Sequence, residues 1–149
     1  MSNAKVVSLQ LHERHGQRPR AVTSATAIVG GGLAGDSHAQ KTRRAIVIVD
    51  RAILDALGLE FGDLREQITV AGLPDVSTLP PGTTLRIGGI TLRANSECEP
   101  CTHIGELNDQ ADPVAFQRLL EHRRGVACVV VAAAGPISVG DTVEVLVPA

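Results

Sequence analysis

Aromatic residues are almost missing from this chain: of 149 positions two are Phe, and none is Tyr or Trp. Val, Ile, Leu and Ala must therefore fill the core, and the β-branched members of that set favour pleated structure. The same absence removes the stacking platforms that bind single-stranded nucleic acid. The net charge of -2 gives no field to draw the chain to nucleic acid or an anionic membrane, so neither partner is expected. Long apolar runs are missing too. The longest, "VACVVVAAAG", is about half of what a membrane-crossing helix needs. The opening "MSNAKVVSLQLHERHG" has no signal-peptide core, and a cytoplasmic protein is the expectation. Lysine is scarce, two against twelve arginines. Only Lys5 and Lys41 could form a Schiff base, neither in a recognisable site, so pyridoxal phosphate is not expected. Three cysteines are too few, and odd in number, for a disulfide framework.

What is present is an ordinary globular balance, 44% hydrophobic and 20% charged, long enough for one domain over 1–149. The segments are short. "AKVVSLQLHE", "RRAIVIVD", "LREQITVAGL" and "VACVVVAAAG" read as strands, and "ISVGDTVEVLVPA" as a turn and a final strand. "PGTTLRIGGITLRANSE" predicts a hairpin turning at Gly88-Gly89. One helix is predicted after Asp50 and closed by Gly58. A second is capped by Asp112 with Pro113 in its first turn, and Val114, Leu119 and Leu120 supply its apolar contacts. Seven to eight short strands and two helices, without a regular βαβ rhythm, predict a mainly β fold. A closed or nearly closed β-barrel with two peripheral helices fits best, because closure removes exposed edges.

The stretch "NSECEPCTHIGE" carries Cys98 and Cys101 as Cys-x-x-Cys, with His103 close by. A structural zinc site wants four ligands, so His38, His122 or a carboxylate would have to complete it. A redox pair would want the βαβ setting that is missing, and Glu97, Glu99 and Glu106 oppose a thiolate. Cys128, among Val126, Ala127, Val129 and Val130, reads as a core filler.

Five short motifs stand in order along the chain: "GLAGDSHA" (32–39), "LREQITVAGL" (64–73), "PGTTLRIGG" (81–89), "EPC" (99–101) and "ISVGD" (137–141). In that order they resemble the MOSC domain, named for the C-terminal part of molybdenum cofactor sulfurases. The resemblance covers the core from about 32 to 145. It implies a mostly β barrel that binds the molybdenum cofactor (molybdopterin), or another small molecule, or carries sulfur for that cofactor. It also implies either sulfur transfer or cofactor-dependent reduction as the activity, and a cysteine desulfurase or a molybdoenzyme as partner. The cysteine of the Pro-Cys motif maps onto Cys101, as metal ligand or sulfur carrier. Where the family usually has Asn after "RE", this chain has Gln67.

Each motif also has its own chemistry. A terminal phosphate calls for backbone N–H donors and a guanidinium fork. The loop Gly32–His38 offers glycines, Gly35 among them, with Ser37 as a further donor and Asp36 to orient His38 or an arginine. It reads equally as a plain glycine turn. Extended backbone at "LREQ" would put Arg65 and Glu66 on opposite faces, with Arg65 toward an anionic ligand. Asn95 either donates to the cofactor or shapes the turn. A persulfide would need a cation beside it, and Arg65 and His38 are the candidates. Arg43–Arg44 and Arg123–Arg124 rank behind them, the latter as helix-closing cations. Two further readings are a zinc or redox module without catalysis, and an accessory domain docking on a sulfurase or molybdoenzyme.

Overall fold

The protein is described from a computed structural model covering residues 3–14, 17–98, 104, 107–108 and 110–146. Cys101 and His103 lie outside the described residues. Ten strands can be followed: β1 (Lys5–Leu11), β2 (Arg20–Val22), β3 (Ser24–Ala25), β4 (Ile46–Asp50), β5 (Ile68–Ala71), β6 (Thr84–Ile87), β7 (Ile90–Glu97), β8 (Val126–Ala133), β9 (Ile137–Ser138) and β10 (Val143–Leu146). The helices α1 (Arg51–Leu57) and α2 (Pro113–Leu119) join them. Among the described residues the fold is mainly β with two helices that can be followed, as the sequence predicts.

Eight strands make one mixed sheet in the order β10-β6-β7-β8-β4-β5-β1-β2, and β3 pairs with β9. The sheet is not closed: its edges are β10 and β2. Its far ends still meet along a short seam. Val6 N donates to the carbonyl of Asp141 (2.9 Å), Gly140 N to that of Val6 (2.8 Å), and Val143 N to that of Ala4 (2.9 Å). The expected barrel is therefore met by a sheet that curls round and is stitched at one point, not by a complete ladder.

Pairing is antiparallel except between β4 and β5, which run parallel through α1. Among the described residues this crossover is the one βαβ unit, and parallel neighbours require such a connection. The Asp50 carboxylate starts α1 by accepting from Ala52 N (2.8 Å), and Gly58 ends it at φ 67°. The hairpin turns where predicted, with Gly88 at φ 54°.

Strand β4 is buried along its whole length and separates two apolar layers. Ile46 and Ile48 face the inner core with Leu9, Leu85, Leu92 and Cys128. Val47 and Val49 face an outer layer with Leu64, Cys98, Ile104, Phe116 and Leu120. A strand covered on both sides reads as an unbroken apolar run, which is what "AIVIV" is. The outer layer corrects the reading of α2. Val114 and Leu119 are 50% and 53% exposed, while Phe116 (4%) and Leu120 (0%) make the contact. The i, i+4 pair won because Phe carries the larger apolar area. Among the described residues, no helix is long and apolar enough to cross a membrane.

Candidate functional site

Strand β7 ends at Glu97, and Cys98 follows it, tied to the start of β8 by Cys98 N donating to the Gly125 carbonyl (2.9 Å). The thiol is 3% exposed and sits in the outer apolar layer. Two guanidinium groups nonetheless donate to its sulfur, Arg124 Nη1 at 2.8 Å and Arg44 Nη2 at 2.9 Å. Arg124 is buried, whereas Arg44 is exposed. Sequence reading ranked both pairs of arginines low and set Cys98 outside the motif. No local signal marks them, because the partners lie 54 and 26 residues from the cysteine. Beside the sulfur, both Glu97 carboxylate oxygens lie 2.9–3.0 Å from His122 Nδ1, so that carboxylate has a partner of its own.

Asp36 is the hub of the neighbouring polar cluster. Its carboxylate accepts from His12 N (2.8 Å), His38 N (2.9 Å) and Gln67 Nε2 (3.2 Å). Gln67 also accepts from Val47 N (2.8 Å), so one amide braces β4 against the Asp36 loop. The His12 ring is fully buried, with Nε2 2.9 Å from the Glu66 carbonyl. Its Nδ1 is buried without a hydrogen-bond partner among the described residues. Burial lowers the His12 pKa. It also lowers that of half-buried His38, and Arg65, Lys41 and Arg44 push the same way against Asp36. A histidine pushed below its ordinary pKa favours the neutral form at pH 7.

Arg65 is not extended. Its φ is 61°, so strict alternation with Glu66 fails at the residue where it was expected. Both side chains turn inward. Arg65 Nη1 donates to the Gln17 carbonyl (3.1 Å), and Nη2 is buried without a partner among the described residues. Burial lowers the Arg65 pKa, Asp36 raises it and Arg124 lowers it, which puts all three charges in one neighbourhood. Arg65 lines a small cleft of about 50 Å³ with Gln17, Arg18, Asp63 and Asn108. Glu66 is fully buried and accepts from Gly62 N (3.1 Å), Leu64 N (3.1 Å) and the Thr69 hydroxyl (2.9 Å). Burial raises its pKa from 4.5 to about 7.

The structure thus gathers Arg65, Asp36 and His38, while Asn95 is tied to the Arg43 backbone. Asn95 Nδ2 donates to the Arg43 carbonyl (2.7 Å), fixing the residue next to Arg44. Several backbone donors of the glycine loop are already committed. Gly31 N and Gly32 N donate to the carbonyls of Ile28 and Ala39, and Ser37 N to that of His12. A Cβ at Gly31 would strike the Ala39 carbonyl oxygen, and one at Gly32 would lie 2.7 Å from that of Ala45. Close backbone packing accounts for these two glycines. Gly35 is exposed at φ 89°, in a left-handed conformation that suits glycine. Among the described residues, no three His, Cys, Asp or Glu side chains converge as metal ligands.

The sequence profile of the MOSC domain matches residues 35–144. The fold is similar to that of the YuaD protein from Bacillus subtilis, with a TM-score of 0.82 and 25% identity over 95% of this chain and 94% of that one. It is also similar to YiiM from Escherichia coli (TM-score 0.70, 17% identity, 97% of this chain and 71% of that one). YiiM from Geobacillus stearothermophilus shares the fold as well (TM-score 0.68, 15% identity, 96% and 75%). No curated protein matches in sequence.

Proposed function

The chain belongs to the MOSC domain family, and from that premise we propose that it binds the molybdenum cofactor or carries sulfur for it. The observation that carries this reading is the convergence of Arg44 and Arg124 on one sulfur, with half-committed Arg65 close to Arg124. A site so rich in guanidinium suits a ligand bearing phosphate and soft sulfur together.

The donor set fits the cofactor in kind. Among the described residues Arg65 keeps one buried nitrogen without a hydrogen-bond partner, and its cleft of about 50 Å³ has room for an oxyanion-sized group. It is too small for a pterin, since ligand pockets usually run to roughly 300 Å³ or more. Arg65 therefore holds the phosphate end, and Asp36 holds Arg65 by charge. Cys101, the cysteine of the Pro-Cys motif, contacts the metal or bears the sulfur. When bound, the cofactor supplies a molybdenum centre with exchangeable sulfur. Gly35, Ser37 and His38 line the approach, and Asn95 positions Arg44 through the Arg43 backbone. A cytoplasmic location, where thiols stay reduced, suits the free thiols of Cys98 and Cys128.

A zinc module is the weaker reading. A dication at Cys98 would sit against two guanidinium groups, which oppose it. Reconstitution with molybdenum cofactor followed by metal analysis tests the main reading. Molybdenum retention should fall by about tenfold or more in Cys101→Ala and in Arg65→Ala. Equal retention in wild type and Cys101→Ala counts against the ligand role.

A further inference from the structure

Strand β7 carries a bulge at Asn95. Ala94 pairs with Cys128 and Ser96 with Ala127, so Asn95 is left out of the β7–β8 register. A bulge re-aims the extra side chain, and here the amide works in two directions. Asn95 Nδ2 donates to the Arg43 carbonyl (2.7 Å), and Asn95 Oδ1 accepts from Arg93 Nε (3.3 Å). One amide therefore clasps the loop 41–44 to β7 and keeps two arginine-bearing segments side by side. Lys41, Arg43, Arg44 and Arg93 are all exposed. Among the described residues none of the four has a carboxylate partner. Elsewhere on the same sheet an arginine is neutralised, since Arg86 on β6 meets Glu144 on β10 at 3.6 Å. The carboxylates around the clasp are already taken, Glu97 by His122 and Asp36 by three N–H donors.

Four like charges gathered without counter-charges repel one another, and the clasp holds them against that repulsion. In a chain of net charge -2 this is a local excess, not a reflection of overall composition. An anionic surface docking on it relieves the repulsion. Exposed aliphatic side chains flank the cations. Arg93 pairs across the ladder with Val129, and further along β8 Val131 is 39% exposed. Gly30 N donates to the Val130 carbonyl (2.8 Å), which sets Val29, 60% exposed, beside the same strand. Arginine next to apolar surface is the composition of a protein interface. The absence of Tyr and Trp removes the base stacking that a nucleic-acid strand needs. We propose that the loop 41–44 and Arg93, clasped by Asn95 and flanked by Val29 and Val131, form a docking surface for an acidic segment of a partner protein. Its carboxylates pair with the guanidinium forks, and aliphatic residues between them lie on the two valines. Arg44 also donates to Cys98 Sγ, so a partner docked here sits beside the candidate site.

The test uses the full chain and a fluorescein-labelled peptide, Glu-Glu-Leu-Glu-Glu-Leu-Glu-Glu, followed by fluorescence anisotropy. Wild type should bind the peptide, and rising salt should weaken the binding. Arg43→Gln together with Arg93→Gln should weaken it by about tenfold. Asn95→Ala keeps every charge and should still weaken it by about threefold, because the clasp is released. Both arginines are exposed, so their double variant stays informative even if Asn95→Ala fails to fold. Absence of binding in wild type, or unchanged binding in the double variant or in folded Asn95→Ala, overturns the proposal. So does tighter binding of a single-stranded oligonucleotide of equal charge, or of phosphatidylserine vesicles, which assigns the patch to another anion. The surface does not rest on the cofactor reading, and none of these variants alters Cys101 or Arg65, so the molybdenum-retention test stands apart.

Discussion

Cys98 and Cys128 lie on opposite sides of the same sheet, one just past β7 and one inside β8. Both are buried, at 3% and 0% exposure. Around Cys128 the neighbours are aliphatic, and burial pushes its thiol pKa far up. Around Cys98 the wall is aliphatic too, but two guanidinium groups pass through it. Burial alone therefore does not decide what a sulfur can do here. The inner layer stores its cysteine as a small hydrophobe, and the outer layer sets two guanidinium groups against its cysteine.

The sharpest way to break this contrast is chemical. With iodoacetamide on the folded protein, the Cys98 peptide should be modified faster than the Cys128 peptide, whose thiol burial keeps protonated. Equal rates by peptide mapping would erase the distinction. The outer layer itself is tested next. Phe116→Ala should cost about 3–5 kcal/mol in denaturant unfolding, while Leu119→Ala should cost about 0.5 kcal/mol or less. A reversed order would mean that α2 presents its other face to Cys98.

A subtler test concerns the charge that the interior tolerates. The folded pKa of Glu66 is raised from 4.5 to about 7, so the fold prefers the neutral carboxyl. The stability tied to it is fully present below pH 4.5 and is lost as pH rises through about 7. At about 1.4 kcal/mol per pH unit, that loss comes to about 3 kcal/mol. Unfolding free energies from pH 5 to 8 should show this slope in wild type and not in Glu66→Gln. The same slope in both would place the titration elsewhere. A smaller loss than that tied to Glu66 is expected at the brace between layers. Gln67→Asn brings the family's usual residue but shortens the reach, so it cannot span Val47 N and Asp36 together. A loss of about 1–2 kcal/mol is expected by thermal or urea unfolding. A neutral result would mean that the Asp36 loop holds its place without the amide.

Much of the frame was legible because it is written locally. Asp50 and Gly58 bound α1, Asp112 and Pro113 open α2, Gly88 turns the hairpin, and the apolar run of β4 announces a strand covered on both faces. Cys128 was legible for the same reason, its neighbours in sequence being its environment. The candidate site was legible only in part. Arg65, Asp36 and His38 were singled out and do come together, but the positive φ of Arg65 and the inward turn of Glu66 have no local mark. The neighbours of Cys98, Arg44 and Arg124, had no local mark, because only the fold brings them to it. The helix face went astray because Val114 and Leu119 were assigned to it and Phe116 was not, although Phe116 is the buried one.

The seam between Val6 and Asp141 bears on how the molecule is made. It joins backbone from near the two limits of the described chain, so the entropy lost in forming it is close to the largest this chain can incur. Such a join forms only after the intervening hairpin and crossover are in place. Acquisition of the native state should accordingly be slow for a chain of this size, on the order of milliseconds to seconds.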